Sequence, residues 1–198
     1  MRSTGAIALL VVVLLVGFAG CAGCGTYNSL VQEDEQVAGA WADVEAAYQS
    51  RADLVPNLVN TVQGQADFES ETLQDVIEAR SRATSIQVSP DDLDDPAALA
   101  RYQEAQTALG ASLGRLLAVS EAYPQLQANE GFLRLQSQLE GIENRIRTER
   151  IDYNQAVADL NGRVRSFPSN LVAGIAGVDR RTPFEATEGA ERPPEVQF

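Results

Sequence analysis

The sequence feature that most constrains the fold is a helical repeat of apolar residues between Phe132 and Phe167. Steps of three and four residues along this stretch land on Phe132, Leu135, Leu139, Ile142, Ile146, Glu149, Tyr153, Ala156, Leu160, Arg163 and Phe167. Nine of these eleven positions are apolar or aromatic, and the residues between them are mostly polar. This spacing predicts one long amphipathic helix. Because such a helix is not stable with its apolar face in water, other helices must cover it.

Two further stretches supply the covering helices. Asn129 is the predicted N-cap of the long helix, and Pro168 is predicted to end it, since proline has no N–H to donate. One predicted helix has its buried face at Val37, Trp41, Val44, Tyr48, Arg51, Val55, Leu58 and Val62. Another, capped by Asp95, has its buried face at Leu99, Tyr102, Gln106, Leu109, Leu113, Leu116, Ser120 and Tyr123. Short connections then predict an all-α fold, an antiparallel, coiled-coil-like bundle of three to four long helices.

The stretch after Gly64 leaves two alternatives open. Leu73, Val76, Ile77, Ala83 and Ile86 follow helical spacing, either as a continuation of the first helix or as a second helix capped by Asp67. Pro56 lies inside the first helix and is predicted to bend or break it and to free the carbonyl group of Ala52. We interpret this position as a kink, or together with Asn57 as a partner-contact site. The turn at residues 89–96, with four Asp, is interpreted as a solvated linker rather than a calcium loop.

The N-terminal residues 1–25 are predicted to form a membrane anchor. Residues 3–32 carry no charge, and the run Ala6–Ala19 is strongly apolar. The sequence before Cys21 is similar to a lipobox, which makes Cys21 a candidate lipid-attachment site. An uncleaved transmembrane helix is an equal alternative, and a cleaved signal peptide is the third. Arg2 precedes the apolar run, and no basic residue follows until Arg51. The positive-inside rule therefore places the bulk of the chain on the extracytoplasmic side.

Composition excludes several functional classes. The formal net charge is −13, and all 15 basic residues are Arg, so we expect no nucleic-acid binding and no electrostatic attachment to an anionic membrane. The chain has no His, which removes the usual general base and zinc ligand, and without His or Lys neither a serine triad nor a Ser–Lys pair can form. We therefore expect no catalytic residues, no cofactor and no metal. Polar Arg51, Glu149 and Arg163 at buried-face positions are interpreted as structural.

Several motifs along the chain resemble those of the LemA family. They are Tyr27–Val31, Arg51–Val59, Ser120–Pro124, Leu139–Ile146, Tyr153-Asn154, Phe167–Asn170 and the ending Phe184–Phe198. The resemblance implies a membrane-tethered helical bundle of the bacterial cell envelope, at residues 26–178 here, with no established catalysis. It also suggests a link to a membrane zinc metalloprotease in envelope quality control. The lipobox-like Cys21 departs from the plain transmembrane span of many members.

These observations favour a membrane-anchored, non-catalytic interaction or scaffold protein. Its expected partners are the lipid bilayer and an unidentified envelope protein, and a homo-oligomer stays open. The alternative is an enzyme or small-ligand binder that uses the bundle interior. Residues 179–198 are predicted to be an extended acidic tail. Val196 and Phe198 in this tail are interpreted either as docking on the protein's own bundle or as a terminal peptide for a partner.

Overall fold

The fold begins with a single long helix. The structure, a computed structural model, describes residues 2–64 and 69–185, and for residues 2–22 it describes only the backbone. Helix α1 runs without interruption over Arg2–Gln63, 62 residues or about 90 Å. All eight residues of its predicted buried face are buried. Among the residues whose side chains are described, no helix is long and apolar enough to cross a membrane.

Pro56 does not break α1, which continues for seven residues beyond it. The carbonyl group of Ala52 loses its partner within the helix, as the sequence predicts, because proline cannot donate. Arg80 replaces that partner, since its Nε donates to the Ala52 carbonyl oxygen at 2.7 Å. This hydrogen bond joins α1 to the next helix, so the carbonyl group freed by Pro56 becomes a contact between the two helices.

The second helix is separate from the first. Helix α2 spans Ser70–Ser85 and buries Leu73, Val76 and Ala83, while Ile77 is exposed, against the prediction. The predicted cap Asp67 lies outside the described residues. A short 3₁₀ helix, Pro90–Asp94, occupies the Asp-rich turn, and its Leu93 is buried rather than solvated.

Helix α3 spans Pro96–Ser120, and the side chain of Asp95 accepts a hydrogen bond from the N–H of Ala97 as predicted. Seven of the eight predicted face positions of α3 are buried. The one-turn helix α4, Pro124–Gln127, forms the connection that follows.

The longest amphipathic stretch forms helix α5, Glu130–Arg165. Asn129 caps it, because its side chain accepts hydrogen bonds from the N–H groups of Gly131 and Phe132. The helix ends before Phe167, which is therefore out of register and 80% exposed, so its predicted place in the buried face is wrong. Helix α6, Ser169–Ala176, follows and packs on α1 and α5 at one end of the bundle.

The core lies between two helix pairs, α1 against α5 and α2 against α3. It divides into two apolar clusters. One contains Trp41, Tyr48, Tyr102 and Ile146, and the other contains Val55, Leu109 and Leu139. Every regular element in the described part of the chain is helical, which confirms the all-α class.

Truncation in the second cluster tests the register of α5. Leu139 is 6% exposed, whereas its neighbour Gln138 is exposed. We expect Leu139→Ala to lower the free energy of unfolding by about 2–5 kcal/mol, because it leaves a cavity in the core. Gln138→Ala should change it by less than about 0.5 kcal/mol. Equal effects of the two substitutions on urea unfolding would contradict this register.

Candidate functional site

The most elaborate set of polar contacts holds residues 179–185, which we call the C-terminal strap. The strap is extended and lies along α5. The amide of Asn161 donates to the carbonyl of Arg181 at 2.8 Å and accepts from the Arg181 N–H at 2.9 Å. Asn154 does the same for Phe184, at 3.2 and 2.8 Å. Two asparagine side chains thus bind the strap backbone as a neighbouring β-strand would.

Other elements complete the binding of the strap. The Thr182 N–H donates to the carbonyl of Leu93, and the Tyr153 hydroxyl donates to the carbonyl of Thr182, both at 2.8 Å. The Arg181 guanidinium forms a bidentate pair with Asp34 on α1, at 2.9 and 3.1 Å. The hydrogen bond to Asp34 raises the pKa of Arg181 above its usual value. The strap therefore joins α5, α1 and the 3₁₀ turn.

Phe184 anchors the strap in an aromatic cluster. Its ring stacks on Trp41 with the centroids 5.7 Å apart, and it meets Tyr153 edge-on at 5.3 Å. Arg150 covers the outer face of Phe184, with its guanidinium carbon 4.8 Å from the ring centre. Trp41 also donates to the carbonyl of Val88 at 3.0 Å. Phe184, from the predicted tail, thus forms part of the core.

A buried polar layer separates the two apolar clusters. Arg51 is 3% exposed, and its Nη1 lies 3.0 Å from the carboxylate of Glu143 on α5. Its Nη2 donates to both the backbone carbonyl and the side-chain oxygen of Gln106 on α3, at 2.7 and 2.9 Å. Gln106 in turn donates to the carbonyl of Ala83 on α2. The interpretation of Arg51 as a structural residue agrees with this geometry.

A cleft of about 470 Å³ opens between α1 and the connection from α2 to α3. Glu45, Tyr48, Tyr102 and Gln106 contribute polar groups to its wall. Burial raises the pKa of the Glu45 carboxyl, and burial likewise raises the pKa of the Tyr102 phenol well above its usual range. The neutral phenols and the amide of Gln106 can offer hydrogen bonds to a molecule in the cleft.

The predicted site residues fall in two groups. Pro56 and Asn57 are adjacent and exposed on α1, so they are accessible to a partner. Val196 and Phe198 lie outside the described residues, as does the side chain of Cys21, so their assignments stay predictions. Among the described side chains, residues 23–64 and 69–185, no group of three or more potential ligands could hold a metal ion. The remaining polar residues of the α5 face lie near the surface, where Arg163 pairs with Glu33 and Glu149 with Arg145.

Sequence reasoning missed Asn154 and Asn161 as ligands of the strap. They are seven residues apart, so they lie on one face of α5 two turns from each other, beside the buried Tyr153. This contact could have been predicted from two features of the sequence. One is the pair of amide side chains along the edge of an apolar face, and the other is an aromatic residue in a polar tail. Seven residues of an α-helix rise about 10 Å, which is also the length of about three extended residues. Arg181 and Phe184 are three residues apart, so each can meet one asparagine.

Comparisons with known proteins identify a family and several relatives. The sequence profile of the LemA family matches residues 40–198. The LemA protein of Metamycoplasma hominis is 24% identical over 180 residues, which cover 91% of this chain and 78% of that protein. The magnetosome protein MamQ of Paramagnetospirillum magneticum is 36% identical over 84 residues, 42% of this chain. This alignment spans only 31% of the length of that magnetosome protein.

Removal of one asparagine amide tests the strap. We expect Asn154→Ala to lower the free energy of unfolding by about 1–3 kcal/mol, since both backbone groups of Phe184 lose their partner. Asn144→Ala is the matched control, because Asn144 is an exposed asparagine on the same helix. Urea unfolding measures both. A similar small effect of the two substitutions would show that the strap adds little to stability.

The raised pKa of Glu45 predicts a pH-dependent effect. The folded protein binds this proton more tightly than the unfolded chain does, so stability falls as pH rises from 4.5 through the folded pKa. We expect Glu45→Gln, which is always neutral, to raise the melting temperature at pH 7 and to change it little well below pH 4.5. Glu104→Gln, at an exposed site on α3, is the control and should change little at either pH. A loss of stability in Glu45→Gln at pH 7 would contradict the prediction.

Proposed function

Because the chain belongs to the LemA family, we propose that it is a membrane-anchored, non-catalytic helical bundle of the bacterial cell envelope that serves as an interaction scaffold. One observation carries the proposal. Helix α1 passes without a break from the apolar run Ala6–Ala19 into the core of the bundle, where Trp41 and Arg51 are buried. The anchoring segment and the bundle are therefore one rigid rod rather than two parts joined by a linker.

The anchor fixes where the bundle presents its surfaces. The exposed pair Pro56 and Asn57 lies about 38 residues beyond the apolar run, or about 55 Å along the helix axis. A scaffold of this kind holds a partner contact at a set distance from the bilayer. We assign the bulk of the chain to the extracytoplasmic side, on the strength of Arg2 before the apolar run. A transmembrane span keeps this rod intact, whereas cleavage before Cys21 and its lipidation would replace the apolar run with a lipid at the start of α1. Mass spectrometry of the mature N-terminus separates the two.

The chemistry of the described residues supports an interaction role over catalysis. Two polar groups of the interior, those of Arg51 and Tyr153, bind the protein's own helices and strap. Arg51 is paired with Glu143 and Gln106, and the Tyr153 hydroxyl is paired with the strap. No His or Lys exists in the sequence to act as a base near the cleft. A quality-control complex with a membrane metalloprotease is the partner setting that we propose.

The cleft between α1 and the α2–α3 connection favours a second candidate, a binder of small ligands. Its wall combines the buried phenols of Tyr48 and Tyr102 with the amide of Gln106. A neutral polar molecule that accepts and donates hydrogen bonds would fit this surface better than an anion, because Glu45 stands at the wall. In this reading the exposed surface of α1 has no protein partner.

Site-specific crosslinking tests the scaffold proposal. A photoreactive residue at Asn57 of the full chain should give a discrete crosslinked product with an envelope protein in native membranes. The same residue at Gln138, exposed on α5, is the control and should not give that product. The absence of any product at Asn57, with the protein present in the membrane fraction, would favour the ligand-binding alternative.

A further inference from the structure

The end of the bundle next to the N-terminal segment has no charge in an otherwise strongly charged chain. Two segments meet there, residues 23–32 of α1 and residues 166–178 around α6, and neither contains a charged residue. The charged fraction of the whole sequence is 22%. A charge-free end formed by two distant segments is typical of a surface that leaves water.

Helix α6 exposes an apolar face instead of burying it. Leu171 and Ile175 are four residues apart and are 63% and 81% exposed, and Phe167, one turn before them, is 80% exposed. The opposite face of α6 packs on the bundle through the buried Ala173. A short helix with one docked face and one exposed apolar face resembles the interfacial helices of monotopic membrane proteins.

The exposed face of α6 is continuous with α1. Ile175 and Val172 line an almost wholly apolar groove of about 420 Å³, and Gly23, Cys24 and Tyr27 of α1 form its other side. Cys24 lies only five residues after the end of the apolar run at Ala19, which is about 8 Å along the helix. When the apolar run is in a bilayer, α6 is at the depth of the lipid headgroups.

Two acidic side chains that border this end form ion pairs. The first two acidic residues of α1, Glu33 and Asp34, pair with Arg163 and Arg181. An acidic protein would otherwise be repelled by anionic headgroups, since its formal net charge is −13. The pairing leaves the end of the bundle close to neutral where it would approach the bilayer.

We propose that the α6 face, formed by Phe167, Leu171 and Ile175, is a membrane-contact surface that rests in the interfacial region of the bilayer holding the N-terminal segment. The inference rests on the proposed membrane anchoring and adds a second point of contact. Two contacts fix the orientation of the bundle relative to the membrane plane, whereas one helix leaves it free to turn about its axis.

Fluorescence quenching by brominated lipids tests the proposal. The full-length variant Ile175→Trp is reconstituted in phosphatidylcholine vesicles with bromine near the headgroup end of the acyl chain. The matched control is Ile151→Trp, because Ile151 is 61% exposed on α5, about 20 Å further along the bundle. Both variants keep the buried Trp41, whose emission in the wild-type protein gives the background. A third variant, Phe167→Trp, repeats the measurement outside α6.

We expect brominated lipids to quench the added emission of Ile175→Trp and Phe167→Trp and to leave that of Ile151→Trp unchanged. If the variants float with the vesicles but show no difference in quenching, the inference is overturned and the proposed membrane anchor stands. Failure of the wild-type chain to float contradicts the proposed anchoring, and the inference with it. A dimer in detergent that Ile175→Ser dissociates, without lipid quenching, would instead assign the face to a contact between copies of the chain.

Discussion

The buried guanidinium of Arg51 is the constraint on which the arrangement of the helices depends. A cation removed from water is tolerated only when it is paired and hydrogen-bonded, and the pairs require Glu143 on α5 and Gln106 on α3 at one level of the bundle. Gln106 extends the layer to α2 through the carbonyl of Ala83. A sliding of α1, α3 or α5 by one turn would break at least one of these contacts to the charge. The polar layer therefore specifies the register of the helices against one another. The apolar contacts alone would allow several registers.

Atoms packed closely around the Arg51 guanidinium leave it little room to move. A Cβ atom at Gly110 would lie 3.2 Å from the Nη1 of Arg51, so the guanidinium occupies the space that a larger residue on α3 would fill. The ring of Tyr48 lies against the guanidinium, 5.0 Å from its central carbon. One nitrogen, Nε, has no hydrogen-bond partner in the described part of the chain. The pairs formed by the other two nitrogens and the contact with the ring offset its desolvation.

The sequence predicted the helices better than the contacts of the non-helical segments, for a physical reason. The buried faces of α1 and α3 and the caps Asn129 and Asp95 are local properties, expressed in spacing and side-chain chemistry. Phe167 and Ile77 were misplaced because periodicity does not show where a helix ends or how wide a covered face is. Local periodicity did not identify the contacts of the strap, since its partners Asn154 and Asn161 are about 30 and 20 residues away. Helices have no free backbone edge to bind an extended segment, so its backbone groups must be paired by side chains. The packed bundle is what brings those side chains beside the strap.

In the proposed membrane-anchored arrangement, the unbroken helix α1 would hold the bundle rigidly on the segment that lies in the bilayer. Rotation of the anchoring segment about its own axis turns every surface of the bundle by the same angle, because no joint absorbs it. Tilt is amplified with height: a change of about 10° at the base moves the surface around Asn57 sideways by about 10 Å. In that arrangement bilayer thickness, which influences helix tilt, would change the lateral position of the surface around Asn57, so lipid composition would act mechanically on the proposed scaffold.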